Sequence, residues 1–141
     1  TRVFYAQHGS FDTHAGELPS HEKLWTEVSG AVGDFMDDMK AHGRGDDFVI
    51  FIFSEFGRRI KDNGTGTDHG SGGLAFVIGD SVKGGMYGEY PSLEPEDQLE
   101  GDLHYNNDFR NTYSSLLEQW LSLEAAPIVN GSFEQFDLIR N

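Results

Sequence analysis

The run Phe48-Val49-Ile50-Phe51-Ile52-Phe53 constrains this chain more than any other stretch. Its residues are β-branched or aromatic and apolar at every consecutive position, so both faces of the strand they predict need cover. A central strand of a parallel sheet, with helices on each side, meets that need. The run stops abruptly at Ser54-Glu55-Phe56-Gly57-Arg58, and Gly66-Thr67-Asp68-His69-Gly70 follows within one loop. A second apolar run, Leu74-Ala75-Phe76-Val77-Ile78, then predicts another buried strand. Strand, polar glycine-rich loop, strand is how open α/β sheets place chemistry at strand ends.

The flanking segments fit the same expectation. Residues 2–7 read as a strand, and residues 20–42 as an amphipathic helix in which Leu24, Val28, Ala31, Val32, Phe35, Met36 and Met39 recur at three- and four-residue steps. Ser20 suits its N-cap and Gly43 its stop. Together with the Phe48 run they predict a βαβ unit with a right-handed crossover. Residues 83–88 read as a turn with a short edge strand, and residues 91–107 as a long irregular segment. Asn107 or Asp108 caps a second helix at about 109–121. The tail, with Ile128, Val129, Phe133, Phe136, Leu138 and Ile139, is too apolar to float free and should pack on the body or on a partner chain.

At 141 residues the chain has the length of a single domain, 1–141. Hydrophobic residues make up 37%, and 11 Phe with 5 Tyr supply enough apolar area for a packed core. The net charge of −14 argues against nucleic acid or an anionic membrane surface as the partner. No apolar run approaches the roughly 20 residues that span a bilayer. The absence of cysteine excludes disulfides and thiolate metal ligands. Thr1 opens the chain in mid-strand, which is expected of a piece whose natural polypeptide begins further upstream.

Two groups of residues carry candidate chemistry. Asp12 and His14, two apart at the end of the first strand, can face one cation, because alternate residues point the same way. Without sulfur, such nitrogen and oxygen donors suit zinc, manganese or iron, or calcium if carbonyls join. Equally, Asp12 can cap a turn with His14 at the surface. Asp68 and His69 between glycines can act as ligand and orienting partner, or as a polar turn. Glu55 at the end of a buried strand is desolvated unless it meets a cation or donors, which Arg58, Arg59 and Lys61 can supply. Arg58 can instead clamp an anion, since its forked donors suit phosphate or sulfate. His8 and His21 are weaker candidates for the same site.

The ordered set Gly9-Ser-Phe-Asp12-Thr-His14, Ser54-Glu55-Phe56-Gly57-Arg58, Asn63-Gly-Thr-Gly-Thr67-Asp68-His69-Gly70, Gly84-Gly85-Met-Tyr87-Gly88 and Asp108-Phe109-Arg110, with Trp120-Leu121 beyond, resembles one family. It is the bacterial domain-of-unknown-function family fifteen-oh-one, often labelled sulfatase-like and placed in the alkaline phosphatase-like superfamily. The resemblance implies a three-layer α/β/α sandwich with a mainly parallel sheet, of which this chain would be a truncated C-terminal portion. It also implies hydrolysis of small sulfate or phosphate esters with a divalent metal, zinc or calcium, at the strand ends. Asp12, His14 and His69 would ligate the metal, Glu55 and Asp68 would be ligands or support them, and Arg58 would hold the anion. Export to the periplasm or beyond is implied too, since family members usually begin with a twin-arginine signal.

Two departures stand out. Phe56 stands where related hydrolases have a histidine, and Ser71 where family members often have another. No counterpart of the superfamily's nucleophile is identifiable, so this chain alone is expected to be inactive. The alternative is a scaffold that has lost catalysis and serves binding or assembly. An incomplete sheet with an apolar tail would also favour association between copies.

Overall fold

The structure, a computed structural model, describes residues 2–140. Its longest element is helix α1, Glu17–Ala41. It starts one turn before Ser20, after Gly16 in the left-handed conformation (φ 59°), and Ser20 donates its hydroxyl back to the Gly16 carbonyl at 2.8 Å. The chain then forms strands β1 (Ile50–Ile52), β2 (Gly57–Asp62), β3 (Thr67–Gly70) and β4 (Phe76–Ile78). Helix α2 is Phe109–Ser115, and it runs into one wider π turn, Leu116–Trp120, in which Leu121 N–H reaches back to the Leu116 carbonyl. A final helical turn, α3, covers Ala126–Val129.

The expected three-layer sandwich with a mainly parallel sheet is not the fold. The four strands form two separate antiparallel pairs, β1 with β4 and β2 with β3. The reason lies in residues 54–75, whose glycines and polar side chains predict a loop. They close instead into a hairpin in which Gly57 faces Gly70 and Arg58 faces His69. A hairpin leaves and returns at the same end, so Phe76 comes back beside Ile52 and β4 must run against β1. Residues 2–7 form no strand, and Phe4 is 86% exposed. The βαβ unit is therefore absent among the described residues. Apolar content requires cover on both faces, but it does not set the direction of the neighbouring strand.

Cover is nonetheless supplied on both faces of the β1–β4 ribbon. On one side Phe35 of α1 meets Phe48 edge to face at 4.8 Å, and Trp25 meets Phe76 at 5.6 Å. On the other, Tyr113 of α2 meets Phe51 at 5.2 Å and Phe53 at 6.0 Å. The alternation of Phe48, Ile50 and Ile52 against Phe51 and Phe53 is the ordinary two-residue period of a strand.

The tail packs against the body. Leu138 and Ile139 are buried with Val82, and Val49, Val77, Leu116, Trp120 and Phe136 pack around them. Its backbone is held by side chains: Ser115 Oγ accepts from Phe136 N–H, and Gln119 Oε1 accepts from Leu138 and Ile139 N–H at 3.0 and 3.2 Å. This satisfies polar backbone atoms that would otherwise be buried without partners.

Candidate metal centre

The hairpin turn is the element on which the site rests. Asn63 Oδ1 accepts from the N–H groups of Thr65 and Gly66, and Gly64 takes φ 103°, open to glycine at little cost. The amide of the same Asn63 donates to the His14 carbonyl at 3.0 Å and to Asp68 Oδ1 at 3.2 Å. One turn residue thus ties the loop before α1 to β3.

Arg58 makes the second tie. Its Nη1 donates to the carbonyls of Thr13 and Thr67 at 2.5 and 2.6 Å, and its Nη2 to the carbonyl of Phe11 at 2.7 Å. Glu17 completes the bracing by accepting from the N–H and hydroxyl of Thr67, with Arg58 Nε 3.7 Å away. Burial pushes the Glu17 carboxyl up, but the Thr67 hydrogen bonds and the Arg58 charge outweigh it and leave its pKa lowered. Phe11 anchors the same loop by packing its ring edge to face on His21 and Trp25 of α1.

These ties bring Asp12, His14 and His69 together, although Asp12 and His69 are 57 positions apart. One potential ligand atom from each lies within 4.8 Å of the others. Asp12 Oδ1 is 2.8 Å from His69 Nε2 and 3.1 Å from His14 Nε2. The other ring nitrogen of His14, Nδ1, faces Asp68 Oδ1 at 3.2 Å. The His69 hydrogen bond, with the charges of both imidazoles, holds Asp12 below the ordinary aspartate range. Hydrogen bonds from His14 and Asn63 lower Asp68 likewise. All three cluster side chains are exposed, so a dissolved cation can reach them.

The donor set fits a divalent cation. Two imidazoles and a carboxylate are the mixed nitrogen and oxygen ligands that zinc and its neighbours accept. With a cation in place, a proton kept on His14 Nδ1 and donated to Asp68 would leave Nε2 free to ligate, the carboxylate–histidine arrangement that fixes a ligating ring.

The other sequence-predicted residues fall elsewhere. Glu55 is exposed and outside the cluster. Arg58 spends its guanidinium on backbone carbonyls rather than on open space, so it is a brace and not an anion clamp. His8 pairs with Glu27 at 3.2 Å, and His21 Nε2 lies 2.9 Å from Thr13 Oγ1. Arg59 turns to Asp102 at 3.2 Å. Sequence reasoning missed the structural parts of Asn63 and Glu17. The Asn63-Gly64 pair, a strong hairpin-turn signal, was the clue to the first.

A family model described as "Protein of unknown function (DUF1501)" matches residues 1–118, the span that holds the whole cluster. No curated protein and no solved structure matches the chain.

Proposed function

This chain belongs to the DUF1501 family of proteins of unknown function, and on that premise we propose that it is a metal-dependent hydrolase of sulfate or phosphate esters. The observation that carries the reading is the convergence of Asp12, His14 and His69 ligand atoms within 4.8 Å from two distant segments. Asp12, His14 and His69 would hold the cation, and Asp68 would orient His14. Two imidazole nitrogens with one carboxylate favour zinc over calcium, which prefers a shell of oxygens. When bound, the cation supplies Lewis acidity, stabilising charge that develops on the ester oxygens. The protein's own part is to hold the rings and the carboxylate in place through Arg58, Asn63 and Asp68.

Zinc titration followed by elemental analysis tests the first half. One cation per chain is expected, lost in Asp12→Ala and in His69→Ala. A chain that stays metal-free at millimolar-scale zinc sinks the reading. Assay with an aryl sulfate and an aryl phosphate tests the second half. With no nucleophile identifiable, no turnover is expected of this chain by itself, and chelator-sensitive turnover lost in His69→Ala would overturn that expectation and show hydrolysis directly.

One observation favours a second reading, a scaffold that binds a cation without hydrolysis. With Arg58 committed to backbone carbonyls, its charge is not free to hold an anion. Stoichiometric zinc that confers no affinity for sulfate or phosphate selects this reading.

A further inference from the structure

Phe56 interrupts the polar run Ser54–Arg58, and its position is unusual for a large apolar side chain beside a cluster of charged and polar groups. Its ring lies flat on the imidazole of His69, with centroids 3.8 Å apart and planes inclined by 10°. The ladder register explains the contact. Arg58 faces His69 across the hairpin, so Phe56, two residues before Arg58, is the diagonal neighbour of His69 on the same face. The backbone at this point has little freedom to slide. A Cβ on the adjacent Gly57 would collide with the carbonyl of Gly72, and Arg58 N–H donates to that same carbonyl. The guanidinium of Arg58 lies 5.1 Å from the Phe56 ring centroid, within cation–π range.

An imidazole needs such a partner here. Its second torsion is broad and roughly two-fold, and a side chain as exposed as His69 would otherwise sample ring positions that point Nε2 away from Asp12. His14 has its own restraint, because Asp68 holds its Nδ1. Among the described residues the His69 ring has one hydrogen bond, between Nε2 and Asp12, and a ligating role would give that contact up. What remains to orient the ring at that moment is packing: the His14 ring lies tilted by 34° with its centroid 4.8 Å away, and Phe56 makes the closer and more nearly parallel contact.

We infer that Phe56 is a positioning residue for cation binding, restricting the His69 ring so that Nε2 faces Asp12 and His14 before the cation arrives. The inference rests on the proposed metal site and adds a residue whose side chain offers no ligand atom. Restricting the ring beforehand removes an ordering cost that binding would otherwise bear.

The test uses the whole chain and two independent readouts. In metal-free protein, the His69 ring protons should be shifted upfield by the Phe56 ring, with cross-relaxation between the two rings; neither should survive in Phe56→Leu. In a cobalt or zinc titration, Phe56→Leu should weaken affinity by about tenfold, the effect typical of residues that orient a ligand. Phe56→Tyr, which keeps the ring, should restore it. Three outcomes overturn the inference: no contact between the rings in the parent protein, equal cation affinity in parent and Phe56→Leu, or a parent chain that binds no cation. The last also removes the proposed metal site, whereas equal affinity leaves that site standing. The ring contact in the parent protein is read without any substitution, so a variant that fails to fold cannot shield the inference.

Discussion

Asp108 carries a residue-level consequence that can be measured. It caps α2 by accepting from Arg110 N–H at 2.9 Å, while the Arg110 guanidinium donates to both of its carboxylate oxygens. The guanidinium hydrogen bond, with the backbone one, lowers its pKa to about 2. An unfolded aspartate titrates near 3.9. Because the folded value is the depressed one, the stabilisation is fully present above about pH 4 and is lost as pH falls towards 2. Asp108→Ala should therefore cost about 1 kcal/mol near neutrality, as a lost cap does. The gap between parent and variant unfolding midpoints should narrow steadily on acidification below about pH 4. A gap that stays constant down to pH 2 would contradict the assignment. Asp12 and Asp68 are also held low, but their partners are the histidines of the cluster, so their protonation reports on the site and not on a helix end.

At the scale of elements, the β2–β3 hairpin is the part on which the site depends. It carries Arg58, Asp68 and His69, and through Arg58 and Asn63 it grips the loop holding Asp12 and His14. Its closure requires a close approach of backbones. A Cβ on Gly70 would stand 2.6 Å from the Arg58 carbonyl, and one on Gly57 would meet Gly72. Gly57→Ala is expected to destabilise the chain by about 1–3 kcal/mol in urea unfolding, the usual cost of forcing extra volume into a packed contact. It should also weaken cation binding, because the register that sets Arg58 opposite His69 moves with it. Unchanged stability and affinity would show that the hairpin backbones can move apart without cost. The hairpin was legible only in part. Asn63-Gly64 is a turn signal that the reading of a glycine-rich loop passed over, and the strands on either side, Gly-Arg-Arg-Ile-Lys-Asp and Thr-Asp-His-Gly, carry no apolar alternation to mark them.

For the molecule as a whole, the excess of negative charge acts in a way that no single contact reveals. With a net charge of −14 on 141 residues, the compact state works against its own repulsion. Raising monovalent salt from about 0.01 to about 1 M shortens the Debye length from about 30 to about 3 Å. The thermal midpoint should rise across that range, and a fall would mean that attractive ion pairs such as Lys40–Asp80 and Lys83–Asp137 outweigh the repulsion. Among the described residues, no helix is long and apolar enough to cross a membrane. The core is small. Its buried apolar members are Leu24, Val82, Ala125, Leu138 and Ile139, and large side chains such as Phe4, Leu74 and Met86 stay exposed.

Some local pieces were legible in the sequence and others were not: the strand expected at residues 2–7 does not form, and β2 and β3 lay in an expected loop. The three- and four-residue spacing of apolar side chains marked α1, the unbroken Phe48–Phe53 run marked β1, and Asn107 or Asp108 marked the start of α2, where Asp108 is the cap, because each depends on contacts within a few residues. The resemblance implied Asp12, His14 and His69 as ligands with Glu55 and Asp68 as ligands or support, and of these five the fold gathers ligand atoms of the first three within 4.8 Å. Only the tertiary structure decided which strand lies beside which and what each polar side chain does. Strand direction followed from a hairpin held by turn hydrogen bonds and glycine contacts, which hydrophobic patterning does not encode. Likewise Arg58 became a brace and Phe56 a platform for His69 because residues far apart in the chain reached them first. A side chain's chemistry is fixed by its type, but its role is fixed by the partners that folding brings within hydrogen-bonding or stacking distance.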